Sequence, residues 1–379
     1  MTERERFFET LTFGTPDRIP YNPGGGREST RKRWHAEGLP IGIDGGGEIT
    51  ACAYHRAGGT DELPRGGKSF RLHERMIPEF EEKVIERRER TQIVQDWKGN
   101  ICEISNEFDP RYLRNAFDFV TRRWVKCPVE SRGDWEEMKQ RYDSNDPARL
   151  PDRPGELATE LQSRRHAIGF SFSGPFWQLR EWLGFEGLCT MFYDDASLVL
   201  DMVEFWSEHV ATLIKRGLKY ITPDWVHISE DMAYKAFSMI SPQMCREFLF
   251  PCWRKWGDII RGAGVPLYGV DSDGFIGELI PIWMEAGVNY CDPIEVAAHN
   301  DIVDFRKRFG KNMAYRGGID KRAMAAGGNV LREEMERVSP VIEDGGYIPS
   351  CDHGIPSDVS WDNFVVYAGI LAKKTGWMQ

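Results

Sequence analysis

Apolar and polar positions change rhythm several times along this chain, most clearly beyond residue 160. Short runs rich in Ile, Val, Phe and Tyr alternate with longer stretches in which apolar residues recur every three or four positions. The first pattern belongs to strands buried on both faces, the second to amphipathic helices, and their alternation is the βαβ rhythm of a parallel sheet. Strands are predicted at 167–173, 224–229, 265–270, 287–291, 313–317 and 346–350, and helices at 196–217, 242–262, 299–309, 329–343 and 358–374. Ser241 ahead of Pro242 offers a capping hydroxyl before a first-turn proline, and Ser357-Asp358 offers a similar start. Six strands in this rhythm favour a (β/α)8 TIM barrel over an open sheet. The other two strands are expected from the first half, at 18–22 and near 91–96.

Residues 24–160 are less regular and read as barrel strands plus a long insertion, within a single domain spanning 1–379. Ile93 to Ile104, around Lys98-Gly99-Asn100, predicts a β-hairpin. The glycine triplets at 24–26 and 45–47 are expected to be loops. Neither is followed by Lys-Ser/Thr, and neither fits the dinucleotide fingerprint.

Composition narrows the function classes. The 379 residues are 41% apolar and 28% charged, ordinary globular values, and no apolar run approaches the length of a membrane span. The charged N-terminus lacks the apolar core of a signal peptide, so a cytoplasmic location is expected. A net charge of −10 without a clustered basic block argues against nucleic acid as a partner. The eight cysteines form no C-x-x-C pair and read as small buried groups.

In a barrel of this kind the C-terminal strand ends build the active site. Here they run into Glu230-Asp231, Asp271-Ser272-Asp273, Asp292, Asp320 and Cys351-Asp352-His353. Capping accounts for one or two such acids, not for all five strand ends. Asp271 and Asp273, at i and i+2, point the same way on an extended backbone and need a cation or proton between them. With His353 they make a candidate site for a divalent metal; Cys351 or Asp352 are alternatives to the histidine. Glu230 and Asp231 are candidate proton carriers, and Tyr234, Lys235 and Asp320 candidate substrate contacts. His227, another candidate substrate contact, faces either the pocket or the helix layer. Trp97, Trp177, Trp225 and Trp283 are candidates for core or for the wall of an aromatic-binding pocket.

Several segments together resemble the uroporphyrinogen decarboxylase superfamily: Arg4-Glu5-Arg6-Phe7-Phe8-Glu9-Thr10-Leu11 with Pro16-Asp17-Arg18-Ile19-Pro20, then Ile240-Ser241-Pro242-Gln243-Met244, Asp271-Ser272-Asp273-Gly274, Gly317-Gly318-Ile319-Asp320 and Gly354-Ile355-Pro356-Ser357-Asp358-Val359. The resemblance implies a (β/α)8 barrel, with activity either on uroporphyrinogen or in corrinoid-dependent methyl transfer. The decarboxylases carry an Arg-Gln-Ala-Gly-Arg segment for the substrate's carboxylates. Here that place reads Asn22-Pro23-Gly24-Gly25-Gly26-Arg27, with one arginine. The thiol methyltransferases hold zinc with His-x-Cys and a later Cys, and Asp271, Asp273 and His353 stand at those positions. Carboxylates make a harder site, closer to relatives that demethylate an ether or amine. The resemblance therefore implies a methyltransferase with a divalent metal, expected to be zinc, passing methyl groups from a small donor to a corrinoid (cobalamin). No Asp-x-His-x-x-Gly motif is present, so the corrinoid is expected on a partner protein; a homodimer is a further expectation. The alternative is a metal-independent decarboxylase or lyase of a small carboxylic acid.

Overall fold

Ten strands form among the described residues of the computed structural model, which are 1–64, 66–109, 111–115 and 121–379. Four make an antiparallel meander in chain order: β1 (Lys83–Arg87), β2 (Thr91–Gln95), β3 (Ile101–Ser105) and β4 (Arg122–Lys126). Six make one parallel sheet in which each strand neighbours the next: β5 (Gly169–Ser173), β6 (Trp225–Ser229), β7 (Leu267–Asp271), β8 (Tyr290–Asp292), β9 (Ala314–Ile319) and β10 (Tyr347–Cys351). The six runs read from the sequence are these six strands, shifted by one to three residues. Asp271 and Asp292 lie inside their strands, whereas Gly287, at φ 100°, still belongs to the preceding helix end.

The two strands expected from the first half are not in that sheet. Segment 91–96 is the inner strand of the meander, paired antiparallel to β3 across a turn that needs Gly99 at φ 90°. Segment 18–22 forms no strand. Pro20 and the adjoining Pro23 lack the N–H a ladder requires; Ile19 packs on strand residues such as Leu267 and Ile348, and the first bridge comes at Gly26, parallel to Ile355 in the loop after β10.

The helices match the predictions closely: Ala196–Leu218, Pro242–Met244 continuing through Cys245–Leu249 to Phe250–Gly262, Ile302–Phe309, Gly328–Asp344 and Trp361–Lys374. Ser241 caps as expected, accepting from the Met244 N–H at 3.1 Å. At the last helix the cap is Ser360, not Ser357-Asp358, because Pro356 to Val359 is a separate turn. Val199, Val203, Trp206 and Val210 face inward and pack with Trp253 and Trp256 of the neighbouring helix. A fully buried tryptophan removes about 200 Å² from water, worth roughly 5 kcal/mol before entropy is charged.

On β6 the alternation decides a question the sequence left open. Val226 and Ile228 are buried against the helices, so His227 faces the other side of the sheet. It pairs in register with Gly269, where a side chain would collide with Tyr290. Tyr290 therefore lies flat over that glycine and stacks on the His227 ring, with centroids 5.6 Å apart and planes at 18°.

Candidate active site

Ser229 and Asp271 are register partners, and the Glu230 N–H donates to the Asp271 carbonyl at 2.8 Å. The residues leaving β6 and β7 are thus held at one level. Glu230 and Asp231 then part company.

Glu230 is fully buried. Its Oε2 accepts from the backbone N–H groups of Phe176 (3.0 Å) and Trp177 (3.2 Å), and its Oε1 from the Trp253 indole (2.5 Å). Phe176 and Trp177 lie in the first turn of the helix Pro175–Leu183, whose N-cap, Gly174, has no side chain to offer. Glu230 supplies the missing cap from the next strand. Burial pushes its carboxyl up to about 8, against the pull of these donors.

Asp231 takes a left-handed backbone, φ 40°, a conformation Asp tolerates better than most residues. Its Oδ1 accepts the Asp273 N–H at 3.1 Å. Asp231, Asp271 and Asp273 each bring one carboxylate oxygen within 4.8 Å of the others. Burial, reinforced by the charge of Asp273, raises the Asp231 carboxyl. Burial, then the charge of Asp292, pushes Asp271 up to about 7. Three carboxylates this close require a cation or a shared proton.

His353 sits beside this trio rather than within it. Its Nε2 is 3.0 Å from Asp273 Oδ1, and its Nδ1 3.8 Å from Asp352 Oδ1. Burial works against protonation, but hydrogen bonds to Asp273 and Asp352 outweigh it and push the imidazole up to about 9. Of the expected ligands, the structure brings Asp271 and Asp273 together with Asp231, and His353 adjoins that set through Asp273. Asp352 is fully buried and accepts the Val296 N–H at 2.9 Å, and burial pushes the Cys351 thiol up to about 12.

Below the trio, His227 Nε2 lies 3.0 Å from Asp292 Oδ1, whose other oxygen is 3.4 Å from Arg316 Nη1. Burial disfavours the Asp292 carboxylate, but His227 and Arg316 outweigh it and lower its pKa. The remaining expected contacts fall elsewhere. Asp320 caps the helix Lys321–Ala326 and holds Arg322 with both oxygens. Tyr234 and Lys235 are exposed on the loop after β6, with Tyr234 edge-on to Phe185 at 5.7 Å. Trp283 is core, and Trp225 lies in a small cluster with Leu267 and Tyr290. Trp97 and Trp177 line one cavity.

Two arginines escaped sequence reasoning. Arg316 interrupts a buried strand, which is itself a readable signal. Arg180 donates to the Asp231 carbonyl at 3.0 Å and covers Trp177 at 4.4 Å; only its helical i,i+3 spacing from that tryptophan hinted at the pair.

A sequence profile described as uroporphyrinogen decarboxylase (URO-D) matches residues 125–369. No curated protein matches the chain. Among solved structures it is similar to a methyltransferase from Methanosarcina mazei, with a TM-score of 0.55 and 10% identity over 98% of this chain and 99% of that one. It also overlaps a B12-independent methionine synthase from a Shewanella species, with a TM-score of 0.38 and 13% identity over 60% of this chain and 67% of that one, too partial a likeness to bear on function. The full-length likeness agrees with the (β/α)8 TIM barrel expected from the sequence.

Proposed function

Because the chain belongs to the uroporphyrinogen decarboxylase family, we propose that it is a methyltransferase of that family, moving a methyl group from a small methyl ether or methylated amine to a corrinoid on a partner protein. The observation that carries this reading is the trio Asp231, Asp271 and Asp273 at the mouth of β6 and β7. An ether or amine gives up its methyl group only when the departing oxygen or nitrogen is polarised or protonated, and the trio stands where a substrate at the strand ends would meet it. The full-length fold shared with the Methanosarcina methyltransferase supports the same branch. The decarboxylation branch has less support: the segment Asn22–Arg27 carries one arginine for a substrate bearing many carboxylates.

The residues fit a divalent cation. Three carboxylate oxygens within 4.8 Å are a hard, oxygen-rich donor set, better matched to magnesium or manganese than to the thiolate-held zinc of thiol methyltransferases. Asp231, Asp271 and Asp273 would hold it, and once bound it would act as a Lewis acid toward the departing atom. The protein's own groups do the rest. His353 fixes the Asp273 carboxylate at 3.0 Å, and Arg180 fixes the Asp231 backbone at 3.0 Å. Without the ion, burial holds the Asp231 and Asp271 carboxyls up, Asp271 to about 7, so the trio itself would carry the proton that the departing atom needs.

The test is to mix the purified protein with a reduced corrinoid protein and a panel of methyl ethers and methylamines, following the corrinoid spectrum. Formation of the methylated corrinoid is expected with one of them. Carbon dioxide release from uroporphyrinogen, with no methyl transfer from any donor, would overturn the assignment.

A further inference from the structure

One acid at the strand ends stays out of the trio. Asp271 and Asp292 are register partners at the ends of β7 and β8. Neighbouring strands lie about 4.8 Å apart. Alternation puts both carboxylates on the inner face of the sheet, because Val270 and Cys291 pack into the main core with the helices. Asp292 is near enough for its charge to bear on Asp271. Yet the oxygens that converge are those of Asp231, Asp271 and Asp273.

Asp292 is held instead by partners from two other strands. His227 Nε2, on β6, lies 3.0 Å from its Oδ1, and Arg316 Nη1, on β9, lies 3.4 Å from its Oδ2. His227 has to cross β7 to get there. It can, because its register partner on β7 is Gly269, where a Cβ would collide with the Tyr290 ring that stacks on the imidazole. Arg316 is placed by the ladder. Tyr290 and Cys291 pair with Ala314 and Tyr315, so Asp292 and Arg316 come next on their strands. Among the described residues Arg316 makes no hydrogen bond and no other ion pair. The one charged side chain of Ala314–Ile319, a strand otherwise buried, thus serves this single carboxylate.

Released, Asp292 would be a fourth oxygen donor at the ends of β6 and β7. An added carboxylate strengthens divalent binding, but it fills a coordination position and blunts the Lewis acid a substrate would meet. We propose that His227 and Arg316 are positioning residues that clamp Asp292 away from the ion site and keep that site at three carboxylates. This role rests on the reading of Asp231, Asp271 and Asp273 as an ion site.

The experiment is calorimetric titration of the full chain with Mn²⁺, without a corrinoid partner or substrate, alongside melting temperatures. Asp292→Asn keeps an oxygen for His227 and should bind Mn²⁺ within about threefold of the parent, because the residue is not a ligand. Arg316→Met and His227→Phe each undo one side of the clamp, the second keeping an aromatic ring on Tyr290. Both should bind Mn²⁺ at least about tenfold more tightly. Adding Asp292→Asn to either should return the affinity to that of the parent. An ion pair that only stabilises the fold would lower the melting temperature of these variants and leave Mn²⁺ affinity unchanged, and that result overturns the proposal. So does loss of the ion in Asp292→Asn, which would make Asp292 a ligand. Should Arg316→Met fail to fold, His227→Phe carries the same comparison. Mn²⁺ uptake by neither the parent nor the clamp variants removes the ion site and the clamp with it; uptake by the parent with no gain in the variants removes the clamp alone.

Discussion

Replacing Glu74 with Gln should leave stability unchanged near pH 4.5 and raise it progressively up to pH 7. Glu74 lies beside the end of β5, where its Oε2 accepts the Ser173 N–H at 2.8 Å and its Oε1 the Ser173 hydroxyl at 3.1 Å. Burial pushes its carboxyl from an ordinary 4.5 up to about 7, more than these bonds pull it down. Below 4.5 the folded and unfolded chains both hold the proton, and the group contributes nothing to the pH dependence. Between 4.5 and 7 the folded chain keeps a proton that the unfolded chain releases, so stability falls as pH rises, by about 1.4 kcal/mol per unit. Across the whole window the ceiling is about 3.4 kcal/mol, and above pH 7 the loss is constant. Glu74 is not fully sealed from solvent, which trims the expectation to about 2 kcal/mol. Gln cannot ionise, yet its carbonyl oxygen still accepts from the Ser173 N–H and its amide donates to the Ser173 oxygen. Urea unfolding of both proteins at pH 5, 6, 7 and 8 measures the difference directly. A pH-independent difference, or a variant less stable than the parent at pH 8, would refute the reasoning.

Other outcomes follow from the strand-end acids. Asp273→Ala and Asp231→Asn should each lose the divalent ion measured by elemental analysis, and a variant that retains it removes that residue from the site. Asp231→Asn should also lower methyl transfer by roughly two to four orders of magnitude, the usual share of a general acid, with near-native turnover as the contrary result. Glu230→Gln should keep its ion but lose about 1.5–3 kcal/mol in urea unfolding, because one amide cannot satisfy three buried donors. Unaltered stability with abolished turnover would return the catalytic role to Glu230.

The parallel sheet was legible because its strands are short apolar runs, β7 to β10 buried along nearly their whole length, and its helices are apolar on one face. The first half was harder for physical reasons. Pro20 and the adjoining Pro23 deny segment 18–22 a ladder, and Thr91–Gln95 carries a buried Ile-Val pair as a barrel strand would while pairing antiparallel in the meander. Acid-rich strand ends marked the right face of the sheet. What each acid does there depends on where the next backbone N–H lies, and that is a tertiary fact. Glu230 finds a helix start, Asp320 its own helix and Arg322, and Asp352 the Val296 N–H; Asp292 finds His227 and Arg316. Asp231, Asp271 and Asp273 are left facing one another.

The resulting charge pattern limits what can approach this mouth. Negative charge is concentrated at the ends of β6 and β7, where His353 lies on Asp273 and Arg180 on the Asp231 backbone. Beside β5, Arg75 has no carboxylate partner among the described residues, whereas the charge of Arg180 is met by Asp231, Glu230 and Asp273. A molecule ringed by carboxylates meets repulsion there and finds only Arg27 in the segment 22–27 to offset it. A molecule neutral at the end that meets the acids avoids that repulsion. The reacting group then has to be one that gains by meeting a cation or proton held among carboxylates, as an ether oxygen or an amine nitrogen does when its methyl group departs.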